Sequence, residues 1–217
     1  MRTLTRPDQL VRSPRRDERH AIRRIFCSTL ALGRPVTVDG IHAYTAFSLD
    51  WYLDHPDRAR VHLDGHRVTG YVLVGTDEAA HQAHQRRAAA TYLSALTKLA
   101  IAGRLDPEAR RFHWLRIRDG WHLHWDAPVR PADAHIHLNL VPGARAGQTG
   151  RRLVEAADEL VRAAGLTAWY AEINAPVGRR ADALVRLGAE VVHRSTNQTL
   201  TELTGQPVER LTIVRTL

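Results

Sequence analysis

Cysteine, methionine and lysine are nearly absent from these 217 residues: Cys27, Met1 and Lys98 are the only examples. A single cysteine excludes an internal disulfide framework. Its place in a helical pattern with Ile22, Ile25, Phe26 and Leu30 reads as packing rather than as a nucleophile. No apolar run approaches the ~20 residues needed to span a bilayer, so a membrane partner is not expected. The arginines near the start are not followed by an apolar core, so the stretch does not read as a secretory signal. A reducing, cytoplasmic location is the expectation. Internal repeats, a Walker loop and a Ser-His-Asp elbow are also missing.

Positive charge is in excess. Lys+Arg number 31 against 23 Asp+Glu, giving +8 and a sequence pI near 10.6. Such a balance suits an anionic ligand, a nucleic acid or simply a solvated basic exterior. The arginines are spread along the chain and no DNA-reading motif accompanies them, so nucleic acid is not the expected partner. A hydrophobic content of 44% supplies a sizeable core. One domain over residues 1–217 is expected, with residues 78–126 as an insertion.

The most informative stretch runs from His135 to Leu153, HIHLNLVPGARAGQTGRRL. Ile136, Leu138 and Leu140 alternate with His135, His137 and Asn139, the period of a strand with one buried face. Pro142 and Gly143 stop it. A loop of small residues, 144–150, leads into a helix from Arg151 to Ala164 with Leu153, Val154, Ala157, Leu160 and Val161 on one stripe. Strand, loop and helix start together make an anion site, because free N–H groups and the peptide dipoles point at the ligand.

This segment resembles motif A of the GNAT-type N-acetyltransferases, whose loop reads Arg/Gln-x-x-Gly-x-Gly/Ala and holds the pyrophosphate of acetyl coenzyme A. Arg145 stands at the Arg/Gln position and Gly150 at the last small one. Gln148 replaces the central Gly, with Gly147 beside it. The lead-in HIHLNLVP is similar to the His-x-His-x-(Asn/Asp)-Leu-x-Pro strand of one branch. The resemblance implies an α/β fold: a mixed, mostly antiparallel sheet with a splayed parallel strand pair, flanked by helices, carrying here a helical and aromatic insertion.

The rest of the chain follows the order of that family. Asp17 is placed to cap a helix running to Leu32, and a second helix covers Ile41 to Asp54. Val61–Leu63 and Val68–Gly75 read as a hairpin about Asp64-Gly65. Glu78 to Ala102 reads as a long helix. Glu108 to Trp125 reads either as a strand pair (Phe112–Arg118 against Trp121–Trp125) or as a helix followed by a strand. The insertion is weighed as an acceptor lid, a homodimer surface or an extra packing layer. Trp169–Asn174, Ala189–His193 and Val208–Val214 read as strands. Arg179–Leu187 reads as a short helix that resembles the family's motif B. There the Tyr that often protonates the leaving thiolate falls on Leu184, and the Phe on Ala189.

The resemblance implies an N-acyltransferase. It would move acetyl from acetyl coenzyme A to a primary amine of a small molecule, by direct attack in a ternary complex, releasing coenzyme A. The alternative is a non-catalytic coenzyme- or nucleic-acid-binding module of the same fold. Expected catalytic residues are His137, Glu172 and Asn139: a base must take the amine proton, and His titrates near neutrality. Expected cofactor contacts are Leu140 and Val141 for the pantetheine arm. Arg145, Ala146, Gly147, Gln148, Thr149, Gly150 and Arg151 would hold the pyrophosphate, and Asn174, Arg179 and Arg180 lie at the cleft. His135-x-His137 and His122-x-His124 look like ligand pairs, but neither has a Cys or a third His at a recognised spacing, so no metal site is expected.

Overall fold

The computed structural model describes residues 9–125, 130–144, 148–178 and 188–217. Seven strands form one sheet: β1 (Gln9–Arg12), β2 (Ala59–Asp64), β3 (Arg67–Gly75), β4 (Ala134–Leu140), β5 (Ala168–Pro176), β6 (Glu190–Thr196) and β7 (Val208–Thr216). Their spatial order is β1-β2-β3-β4-β5-β7-β6. Every pairing is antiparallel except β4 with β5, which is parallel. Among the described residues the helices are α1 (Arg19–Thr29), α2 (Ile41–Leu53), α3 (Glu78–Ile101), α4 (Pro107–Trp125), α5 (Thr149–Ala163) and α6 (Gln198–Thr204). No helix among the described residues is long and apolar enough to cross a membrane.

The period-2 alternation of the strands divides the core between two faces. On one, Val61, Leu63, Tyr71 and Leu73 meet Ile22, Ile25 and Phe26 of α1 and Leu49, Trp51, Tyr52 and Leu53 of α2. On the other, Val72, Val74, Ile136, Trp169, Ala171, Leu211 and Ile213 meet Leu153, Val154, Ala157 and Val161 of α5. Asp158, 4% exposed, fixes α5 to the sheet: it accepts from Trp169 Nε1 at 2.8 Å and pairs with Arg215 through Nε (3.1 Å) and Nη2 (2.9 Å). Cys27 packs in the α1 layer with Sγ 3.3 Å from Thr45 Oγ1.

Three local readings change. Asp17 does not cap α1. A 3₁₀ turn (Arg16–Glu18) precedes the helix, Glu18 reaches back to Arg15 N at 2.7 Å, and α1 ends at Thr29. Glu108 to Trp125 is neither a strand pair nor a helix and strand; one helix, α4, spans it. Its buried residues, Ala109, Phe112, His113 and Leu115, recur at helical spacing, not at period 2. Asp119 bonds Arg210 through both carboxylate oxygens, at 2.8 and 2.9 Å, instead of opening a turn. Finally, α6 stands between β6 and β7 where no element was expected. Asn197 Oδ1 caps it by accepting from Leu200 N (2.9 Å), and Gly205 closes it at φ +70°.

The helical pair between β3 and β4 lies on the α1/α2 face. Val38 and Ile41 pack with Ala109 and Phe112 of α4. His113 Nε2–H donates to Asp39 O at 2.6 Å, which leaves Nδ1 to accept from Tyr92 O–H at 2.7 Å. The positive φ of Gly40 (+81°) brings the backbone against that imidazole, where a Cβ would collide with it.

Candidate active site

β4 and β5 pair only near their starts, Ala134 with Trp169 and His135 with Tyr170. Beyond these both strands continue, β4 held by β3 and β5 by β7, without pairing to one another. The result is a wedge-shaped gap in the sheet. Val141 N–H donates to Thr69 O at 2.9 Å, so Val141 turns its backbone to β3. Alternation then turns the N–H and C=O of Leu138 and Leu140 into the gap. The Val141 carbonyl is also engaged, accepting from Ala144 N at 2.9 Å.

The N-terminus of α5 stands at the open end. The first intrahelical bond is Arg152 N–H to Gln148 O (2.9 Å), which leaves the N–H groups of Thr149, Gly150 and Arg151 without intrahelical acceptors. The Thr149 side chain points inward: it is 6% exposed, with Oγ1 3.5 Å from His62 Nε2. His62, itself buried, bonds Thr69 Oγ1 through Nδ1 at 2.7 Å. Burial, reinforced by Arg152, lowers the pKa of His62, so the ring under the helix terminus is neutral at physiological pH. The Gln148 and Arg151 side chains are exposed, with Arg151 3.7 Å from Glu155 one turn on. Arg145, Ala146, Gly147, Arg179 and Arg180, and the segment 179–187 with Leu184, lie outside the described residues.

On the α1/α2 face of the gap, β4 presents His135, His137 and Asn139, and β5 presents Tyr170, Glu172 and Asn174. The β4 strand is therefore covered on both sides, not on one. Tyr71 of β3 joins two of these residues: its hydroxyl accepts from Asn139 Nδ2 at 2.9 Å and lies 3.2 Å from His137 Nδ1. The His137 ring stacks on Tyr71 (8° between planes) and touches Phe26 and Tyr52. Burial among these rings, with a smaller push from His135, lowers the His137 pKa to about 4. Burial drives the Tyr71 hydroxyl well above the usual phenol range. Glu172 is exposed on the cleft side of β5. Asn174 Oδ1 accepts from Asn197 Nδ2 at 2.7 Å, and the Asn197 cap on α6 holds that amide in turn.

The structure thus brings His137, Glu172, Asn139 and Asn174 to one face, with Leu140 at the rim and Thr149–Arg151 at its end. Sequence reading missed Tyr71, Tyr52, His62 and Asn197 as partners. Tyr71 faces Asn139 across the β3/β4 register, and that register is invisible from either strand alone. Asn197, followed by a Gly eight residues on, carried a helix-cap signal that could have been read.

No protein-family model matches the chain, and no curated protein matches it in sequence. Its fold does match solved structures. The crystal structure of SsHAT superposes with a TM-score of 0.62 at 20% identity, over 97% of this chain and 98% of that one. The structure of yncA from Salmonella typhimurium, solved with its cofactor acetyl-CoA, gives 0.54 at 16% identity, over 97% and 94%. The Drosophila melanogaster polyamine N-acetyltransferase, which forms N-acetylagmatine, gives 0.53 at 16%, over 97% and 100%. At these identities it is architecture that is shared, and the chain is built on the GNAT fold of the N-acetyltransferases.

Proposed function

We propose that the protein is an N-acetyltransferase that moves acetyl from acetyl coenzyme A to a primary amine of a small molecule, by direct attack with both substrates bound. The observation that carries this reading is the gap between β4 and β5, edged by backbone that the two strands do not pair across it and met at one end by a helix N-terminus. The residues present fit the coenzyme. The Leu138 and Leu140 backbone groups match the amides of a pantetheine arm. The N–H groups of Thr149, Gly150 and Arg151, with the Gln148 and Arg151 side chains, match a pyrophosphate. Arg145, Ala146, Gly147, Arg179 and Arg180 belong to the same proposed contact set by sequence, and the net charge of +8 complements the phosphates. Neighbours solved with acetyl-CoA or acting on polyamines support the cofactor and the acceptor class.

When bound, the coenzyme supplies a thioester carbonyl that an uncharged amine can attack. The chain must remove a proton from that amine, and Glu172 is the better placed base, exposed on the cleft side of β5. His137 packs among aromatic rings with its Nδ1 held at Tyr71, so it serves as wall and hydrogen-bond partner more readily than as first proton acceptor. Asn139, fixed by Tyr71, and Asn174, fixed by Asn197, orient acceptor and amide groups. With Leu184 at the position of the family's Tyr, solvent returns the proton to the departing thiolate. Calorimetric titration with acetyl-CoA and a thiol-release assay over an amine panel test this. Glu172→Gln should keep cofactor affinity while turnover falls ~10²–10⁴-fold, the range for losing a general base. No binding at millimolar cofactor would defeat the proposal.

A further inference from the structure

Glu78 and His81 lie one turn apart on α3, which brings both side chains to one side of the helix. That side meets His135 at the start of β4. Glu78 Oε2 is 3.2 Å from His135 Nδ1 and 4.0 Å from His81 Nδ1, and the three ligand-type atoms all lie within 4.8 Å of one another. The remaining atoms of each side chain are spoken for. Glu78 Oε1 accepts from Gln82 Nε2 (2.9 Å) and faces Arg130 Nη1 (3.1 Å). His81 Nε2 is 3.2 Å from the Gln85 amide. His135 Nε2 is 2.6 Å from Tyr52 Oη. Yet His135 Nδ1, on a side chain only 9% exposed, has no hydrogen-bond partner. Its approach to Glu78 is close but not aligned for one. A buried imidazole nitrogen left open and aimed at a carboxylate and a second imidazole needs an explanation.

We propose that Glu78, His81 and His135 bind a divalent first-row transition ion of the zinc class, which ties α3 to the sheet beside the cleft. Two imidazoles and one carboxylate are the donors such ions prefer, with water as fourth ligand. Bonds of about 2.0–2.2 Å set tetrahedral ligand atoms roughly 3.3 Å apart, so the Glu78–His135 pair is already spaced for the ion and His81 has only a short distance to close. Tyr52, Gln82 and Arg130 hold the atoms of His135 and Glu78 that would not coordinate, as expected around a metal, and His81 Nε2–H would donate to the Gln85 side-chain oxygen once that amide is turned over. With Nε2–H donating to Tyr52 Oη, the Nδ1 lone pair of His135 is free for the ion. Trp51, Tyr52 and Tyr170 wall the imidazoles with aromatic rings. Gly75 makes the seat, since a Cβ there would run into the His135 ring. The proposal does not depend on the acetyltransferase reading.

The test is titration of the full, chelator-stripped chain with Zn²⁺ alone, with Co²⁺ as a visible probe of coordination. One ion per chain, a raised melting temperature and the intense visible bands of tetrahedral cobalt are expected. Glu78→Gln and His81→Ala, both on a partly exposed helix face, should each weaken Zn²⁺ at least tenfold and abolish those bands while keeping the wild-type circular dichroism. His122→Ala, in the other His-x-His pair, should bind like the wild type. Absence of Zn²⁺ binding to the wild type would overturn the proposal, as would undiminished binding in both Glu78→Gln and His81→Ala.

Discussion

Tyr71→Phe removes one oxygen from the fully buried Tyr71 and leaves its ring in place. That oxygen accepts from Asn139 Nδ2 at 2.9 Å and sits 3.2 Å from His137 Nδ1. Its loss leaves two polar groups without a partner, and a buried unmet group costs about 1–3 kcal/mol. Both partners are half-buried and water can relieve part of that, so a loss of about 2 kcal/mol is expected. For a chain of this length, where 1 kcal/mol moves the melting temperature by roughly 2–4 °C, the midpoint should fall ~4–8 °C. Turnover should fall as well, because Asn139 loses its anchor. Acetyl-CoA affinity should stay within about twofold, since the change cannot reach the α5 terminus where a lost charge-assisted bond would cost about 1.5–3 kcal/mol. Thermal melts, calorimetry and thiol release measure the three quantities. A double-mutant cycle with Asn139→Ala should give a coupling of about 0.5–3 kcal/mol, as for residues in one network. A midpoint shift under ~2 °C together with an additive cycle would refute the view that Tyr71, His137 and Asn139 act as a unit.

Gly70→Ala places a methyl against the Leu140 side chain and 3.0 Å from Leu153. Overpacking of about 1–3 kcal/mol should appear in urea melts, with weakened acetyl-CoA binding as Leu140 is displaced from the gap; unchanged affinity would uncouple the two. Asp158→Asn breaks the bond set with Arg215 and should cost about 3–5 kcal/mol in urea unfolding, with a loss below ~1 kcal/mol counting against the assignment. His62 supplies a pH test. Its folded pKa lies below the ordinary 6.5, so its stability is fully present above that value and is lost as pH falls below it. The decline in melting temperature from about pH 7 to 5 should therefore be shallower in His62→Gln than in the wild type, and an equal slope would remove His62 as a contributor.

Much of the architecture was legible because the signals were local. The alternation of Ile136, Leu138 and Leu140 gave β4. The stripe of Leu153, Val154, Ala157 and Val161 gave α5. Asp64-Gly65 gave the β2/β3 turn. Where local signals conflicted, packing decided. The aromatic and histidine residues of Glu108–Trp125 read as a strand pair or as a helix followed by a strand, yet Ala109, Phe112 and His113 bury one helical face against α2 and its preceding loop.

The site divides in the same way. His137, Asn139, Glu172 and Asn174 could be picked from the sequence, because a period of two assigns strand residues to faces without reference to any other element. Their partners could not. Tyr71 reaches Asn139 only through the β3/β4 register, Asn197 reaches Asn174 only once α6 is in place, and Glu78 and His81 meet His135 across more than fifty residues of chain. Chain periodicity by itself determined which side chains share a face. The tertiary structure alone decided which faces meet, because sheet register and helix docking are set by burial summed over the whole core.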